Sequence, residues 1–214
     1  QKFNLMGGFV DKFGGISGAG ALLAPKGLAI TSDNTLLIAD QQKGVVLEYS
    51  DTGLFLQEFS TVSNGINSFE LSGPCDVAVD GQGTVYILDQ QSDGQMLYST
   101  NADYVLMDIN FGNGSDDGGI PFFGVNSIGI DSSRSRVFVT DGGFGGLIRL
   151  TSELESLWRV GSNSLSGIGQ LGQPGGVAVG PESRIYISDQ TNQDIKVFSS
   201  ALAYANVTFS GAAS

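Results

Sequence analysis

The chain has 214 residues, 41% of them apolar and 32 of them glycine, and it carries a net charge of −12 with a pI near 4.1. That apolar content excludes a mostly disordered chain, and no run approaches the ~18 apolar residues of a membrane-crossing helix. Ten Lys plus Arg against 22 Asp plus Glu disfavour a nucleic-acid surface, and the absence of histidine removes the usual zinc ligand, general base and Ser-His-Asp triad.

In chain order, Gln1-Lys2-Phe3 reads as the end of a strand and Phe9 to Phe13 as its partner, so the predicted elements begin midway through a unit. PKGLAITSDNTLLIAD then runs from Pro25 to Asp40, followed by Val45 to Tyr49 and Phe55 to Phe59. The same order returns as PCDVAVDGQGTVYILD (Pro74 to Asp89), Gln95 to Tyr98 and Tyr104 to Ile109. A degenerate copy, FGVNSIGIDSSRSRVFVTD, ends at Asp141 and leads into Leu147 to Leu150 and Ser156 to Val160. PGGVAVGPESRIYISD (Pro174 to Asp189), Ile195 to Phe198 and Tyr204 to Phe209 complete the series.

The closing aspartates are 49, 52 and 48 residues apart. A period near 50 containing four short apolar runs separated by turns describes an all-β propeller of four-stranded antiparallel blades. The first run of each copy is small and apolar throughout, which predicts an inner strand buried on both faces. The second is rich in β-branched and aromatic residues, as packed strands prefer. Four complete blades plus the outer part of another are expected over residues 1–214, a single propeller domain or propeller fragment, read as a fragment of a larger ring rather than an arc completed by another chain. Stacked repeats make one domain rather than two.

The repeat resembles the NHL family, with Pro174 through Asp189, Asn192 and Phe198 fitting its pattern best. The resemblance covers nearly the whole chain, and about six blades per ring is common in that family. Gln-Gln after Asp40 and Asp89, and Gly142 to Gly146 after Asp141, depart from it. It implies a fold rather than one function, since such propellers serve as enzymes, sensors and scaffolds. The peptide-amidating lyases that share the repeat use zinc-binding histidines, which this chain lacks.

Asp40, Asp89, Asp141 and Asp189 recur at one place in every copy, as expected of carboxylates capping their own turns. Cys75 enters an inner strand and reads as a small buried residue. The long connections 60–73, 111–123 and 161–173 share a face with the aspartate turns, where Phe122, Phe123 and Phe144 are candidate binding aromatics. Trp158 reads as packing between blades. Residues 113–119 are oxygen-rich, making calcium the one cofactor considered, but they lack a spaced ligand pattern, so no cofactor is expected. Asn113 and Asn206 head glycosylation sequons.

Together these features predict a non-enzymatic, extracellular, glycosylated module that binds a protein partner or self-assembles, with no nucleic acid and no membrane span. An alternative resembles the gluconolactonase and strictosidine-synthase hydrolases, with Asp76 and Asn126 as the polar residues of otherwise apolar inner strands. A second alternative is an intracellular scaffold domain like those appended to ubiquitin ligases.

Overall fold

The computed structural model describes residues 1–15, 17–91, 94–113, 120–161 and 170–199, and the backbone of 204–205. Short strands form from runs rich in β-branched and aromatic residues, most of them ended by turns that contain glycine or asparagine. The first pair is β1 (Lys2–Phe3) and β2 (Phe9–Asp11), a two-stranded sheet. The first complete blade holds β3 (Pro25–Ile30), β4 (Leu36–Asp40), β5 (Val45–Tyr49) and β6 (Phe55–Phe59) in that order.

A small hairpin follows, β7 (Thr61–Ser63) with β8 (Ser68–Glu70). The second blade is β9 (Pro74–Val79), β10 (Val85–Gln91), β11 (Gly94–Thr100) and β12 (Leu106–Asn110). The third is β13 (Val125–Asp131), β14 (Arg136–Asp141), β15 (Gly146–Thr151) and β16 (Ser156–Gly161). The fourth is β17 (Pro174–Val179), β18 (Ile185–Asp189), β19 (Asp194–Phe198) and β20 (Tyr204–Ala205). Every pairing in these sheets is antiparallel, and the fold is a β-propeller.

The blades are joined through their inner strands, β3 packing on β9, β9 on β13 and β13 on β17. Three apolar clusters fill the junctions. Leu37, Ala39 and Val46 meet Val77, Val85 and Tyr98 between the first two blades. Leu88 and Leu97 meet Val137, Val139 and Ile148 between the second and third. Phe138 and Leu147 meet Ile187 and Phe198 between the third and fourth, with Trp158 packed at the edge. Burying each such side chain contributes about 1.5–3 kcal/mol, so the junctions hold strands that would be marginal alone.

Two expectations change. The connection 60–73 contains the β7–β8 hairpin instead of being irregular throughout, turned at Gly65 (φ 83°), with Val62 buried. Its strands are only three residues long, although Asn64-Gly65 between alternating residues is a hairpin signal. Inner strands are also not uniformly buried. Leu28 and Ile30 of β3 are 66% and 67% exposed, because no described residue covers that face of the first blade as Val77 (2%) and Ile128 (6%) are covered.

Candidate functional site

The four recurrent aspartates are buried and do more than close their own turns. Asp40 accepts from the backbone N–H of Leu23 (2.6 Å) and Ala24 (3.0 Å), and also from Lys43 (3.1 Å). Asp89 accepts from Ser72 (3.2 Å) and Gly73 (2.7 Å). Asp189 accepts from Gly172 (2.8 Å), Gln173 (3.1 Å) and Asn192 (3.2 Å). Each carboxylate therefore ties the end of the second strand to the segment entering the first, 16 to 18 residues earlier. At Asp189 burial opposes the charge, but the bonds from Gly172, Asn192 and Gln173 together hold its carboxyl below the ordinary aspartate range.

Side chains beside these turns stitch neighbouring blades. Gln41 Nε2 donates to Gln90 Oε1 (2.8 Å), and Gln90 Nε2 donates to the carbonyl of Val125, the first residue of β13. The third blade has Gly142 where the others have glutamine. There Asn126 Nδ2 donates to the carbonyl of Pro174 (2.9 Å), the first residue of β17. A Cβ on Gly142 would sit 2.5 Å from that Nδ2, so glycine makes room for Asn126 to take over the link.

Asp76 is used similarly. Its Oδ2 accepts from Ile128 N (2.8 Å) in the next blade, while Gly27 of the blade before lies too close to Asp76 to carry a Cβ. Burial raises the carboxyl of Asp76 above the ordinary range despite these bonds. The two inner-strand polar groups nominated for a metal-dependent hydrolase are thus engaged in holding blades together. No group of three or more His, Cys, Asp or Glu side chains placed to hold a metal ion is found among the described residues. Cys75 is a buried free thiol, its pKa pushed up to about 12 chiefly by burial and further by the charges of Asp76 and Asp89.

The third blade departs from the others on the aspartate face. Asp141 accepts from Phe123 N (2.9 Å) and Phe144 N (3.1 Å), and it pairs with the guanidinium of Arg159 (3.2 Å). Arg159 also donates to the Pro121 carbonyl. Its guanidinium lies 4.2 Å from the ring centre of Phe144 and 5.5 Å from that of Phe123. The two rings stack at 5.7 Å and 23°, and Phe123 is 57% exposed. Close backbone passage permits this: a Cβ on Gly143 would meet the Phe123 carbonyl, and one on Gly124 would meet Gly143 N.

Of the three aromatics singled out by sequence, Phe123 and Phe144 are together on this platform. Phe122 is not: it is buried between the second and third blades with Leu97 and Val125. Successive residues of an extended segment point to opposite sides, and sequence does not say which side is covered. Arg159, the group that joins the two rings, carries no sequence signal apart from its place on a fourth strand. Asn113 is exposed, whereas Asn206 and residues 114–119 of the oxygen-rich loop lie outside the described residues.

No protein-family model matches the chain, and no curated protein sequence matches it. Solved structures do. A gluconolactonase from Xanthomonas campestris aligns with a TM-score of 0.61 at 13% identity, over 84% of this chain and 60% of its own. A nidogen/laminin complex gives 0.58 at 18% identity, over 84% and 61%. A streptogramin B lyase gives 0.60 at 10% identity, over 85% and 53%. The chain therefore spans less than two thirds of the proteins it resembles, and at these identities the likeness shows the propeller fold alone.

The expectation of a non-enzymatic chain is corrected by this comparison. Two of the three propellers are enzymes, so the fold is no ground for excluding catalysis. The physical reason is that a propeller frame hosts unrelated chemistries through a few channel and loop side chains. The comparison assigns neither enzyme's activity to this chain. No helix among the described residues is long and apolar enough to cross a membrane.

Proposed function

We propose that the chain is an NHL-like propeller module that binds a protein partner through the platform formed by Phe123, Phe144 and Arg159. The observation carrying this reading is the break in repeat symmetry. Where the other three blades place glutamine after the aspartate, the third places glycines and Phe144, and it leaves Phe123 exposed beside a charged group already paired with Asp141. Repeat-wide features serve the frame, whereas a feature of one blade is available for recognition. An exposed ring stacked on a half-buried one is the kind of aromatic anchor that interfaces use, and a nidogen/laminin complex is a protein assembly that contains a propeller of this fold.

The partner's chemistry follows from the surroundings. The chain carries a net charge of −12, and exposed ring faces attract cations, so a basic segment bearing apolar or proline residues is the expected ligand. Selection of random peptides on the immobilised chain should enrich such sequences. Phe123→Ala should weaken the selected peptides by about tenfold or more while the thermal midpoint stays nearly unchanged. Selected peptides that bind Phe123→Ala as well as the parent would refute the platform.

An extracellular location belongs to the same proposal and rests on the acidic surface and the two sequons. Peptide mapping of native material should find hexosamine on the peptides containing Asn113 and Asn206. Bare asparagines in material from a eukaryotic source would remove the secreted reading and leave the binding platform standing.

A further inference from the structure

This acidic chain gathers all five of its arginines between residues 134 and 184. Arg159 serves the platform at the aspartate end of the third blade. Arg134, Arg136 and Arg149 lie toward the opposite end of that blade, where β14 begins and β15 finishes. Cross-strand register fixes how the last two face. Arg136 pairs with Thr151, Phe138 with Arg149, and Arg149 in turn with Trp158. Register partners and residues two apart share one face of a sheet. Arg136, Arg149 and Trp158 therefore share the face of Phe138, which packs on Ile185, Ile187 and Phe198 of the fourth blade. Arg136 and Arg149 are diagonal neighbours, ~7–8 Å apart in the sheet and within reach of one another as long side chains.

The first blade shows the same three places when they are satisfied. Thr35 stands where Arg136 does, Glu48 where Arg149 does, and Gln57 where Trp158 does. Thr35 Oγ1 donates to Glu48 Oε1 (2.6 Å) and Gln57 Nε2 to Glu48 Oε2 (2.8 Å), so each oxygen of the buried carboxylate has a donor. The third blade puts two like charges there instead. Arg149 Nε is buried with no hydrogen-bond partner among the described residues, and its guanidinium lies 5.5 Å from the ring centre of Trp158. Burial, and then the charge of Arg136, lower the pKa of Arg149.

The carboxylate on this face is Asp131, the register partner of Arg136. It is already engaged, accepting from Ser133 Oγ (2.6 Å) and lying 3.6 Å from Arg134. Burial opposes its charge, but bonds from Ser133 and Ser183 and the charges of Arg134 and Arg136 keep its carboxyl below the ordinary range. One carboxylate against three guanidinium groups leaves the cluster positive, and Arg149 has no carboxylate paired with it among the described residues.

We propose that Arg136 and Arg149 form a site for one tetrahedral oxyanion, a phosphate or sulfate group carried on a small molecule and seated beside Trp158. Guanidinium forks match the paired oxygens of such groups and bind them through charge-assisted hydrogen bonds. An anion there would supply the acceptor that Arg149 lacks and offset the repulsion between the two arginines. The net charge of −12 favours a single anionic group over a long polyanion. The site lies at the other end of the blade from the Phe123–Phe144 platform and does not depend on it.

The chain has one tryptophan, so its fluorescence reports on this place alone. Inorganic phosphate and, separately, inorganic sulfate are titrated into the full chain at constant ionic strength set with sodium chloride. Trp158 emission should change saturably, with half-saturation at roughly 1 mM or below. Arg149→Gln and Arg136→Gln should each weaken binding about tenfold. Arg149→Lys, which keeps the charge but not the fork, should weaken it as well. Arg184→Gln, at an arginine paired with Glu182 (3.5 Å), should titrate as the parent does. Tighter phosphate assigns the group to a phosphate ester and tighter sulfate to a sulfate ester, and either order supports the site. A change that chloride reproduces, or no saturable change, overturns it.

Thermal midpoints keep the test independent of how the variants fold. Without added anion, Arg149→Gln should melt within about 2 °C of the parent or above it, since it removes a repulsion and an unmatched donor. A clearly lower midpoint would make Arg149 a structural support of the junction and overturn the proposal. Phosphate and sulfate stabilise folded chains in general, so the difference between parent and variant is read. The parent should gain several degrees more than Arg149→Gln as phosphate rises to about a hundred times half-saturation. Equal gains overturn the site even where the emission responds.

Discussion

Val77 in the second blade and Leu28 in the first hold the same place in their sheets, each opposite an isoleucine of the neighbouring strand, Ile87 and Ile38. Val77 is sealed against the first blade, while Leu28 stands open. Local sequence is alike at the two sites, so the difference lies in what each sheet packs against. An inner strand of this repeat has no fixed burial of its own, and its core is completed by a neighbour, as nearest-neighbour stacking requires.

The comparison is sharpened most by truncation on its two sides. Ile128→Ala, at the sealed junction of the second and third blades, should cost about 2–5 kcal/mol, read from urea unfolding. Leu28→Ala should stay within about 0.5 kcal/mol, as for an exposed residue. Equal losses would mean that Leu28 is covered in solution and would break the comparison.

A smaller effect is expected at the aspartates. Asp189→Asn should cost about 1–3 kcal/mol at neutral pH, because buried backbone donors lose a charged acceptor. The sign in pH follows from the lowered native pKa of Asp189. Its contribution is present above the unfolded-state value of about 3.9 and is lost as pH falls through the lower folded value. The gap between variant and parent should therefore close on acidification. A gap unchanged from pH 7 to pH 2 would refute the assignment of the hydrogen bonds to the ionised form.

The last prediction concerns rate rather than stability. Cys75 at the sealed junction, with its thiol pushed up to about 12, should resist iodoacetamide in the folded chain and react at an ordinary thiol rate in denaturant. Rapid alkylation under native conditions would show that the junction opens as easily as the free face.

Much of the architecture was legible because it is local. The runs ending at Asp40, Asp89, Asp141 and Asp189 carry their own turn chemistry and alternation, and these gave strand order and blade number. The β7–β8 hairpin escaped because three-residue strands barely show a period. The platform was half legible: Phe144 stands out where glutamine is replaced, but Arg159 lies 15 residues further on and joins Phe144 only when β15 and β16 fold back.

Sequence by itself determined the four-stranded unit, its repetition and the place of the recurrent aspartates, since these depend on residues close together in the chain. Only the tertiary structure decided the fates of Asp76 and Asn126. Their hydrogen-bond partners, Ile128 and Pro174, are 52 and 48 residues away, and a polar side chain on an inner strand looks the same whether it bridges blades or faces a ligand. Tertiary packing likewise buried Phe122 and exposed its neighbour Phe123, and it covered Val77 but not Leu28. Burial depends on which surface arrives opposite a residue, and that surface is built from a different repeat.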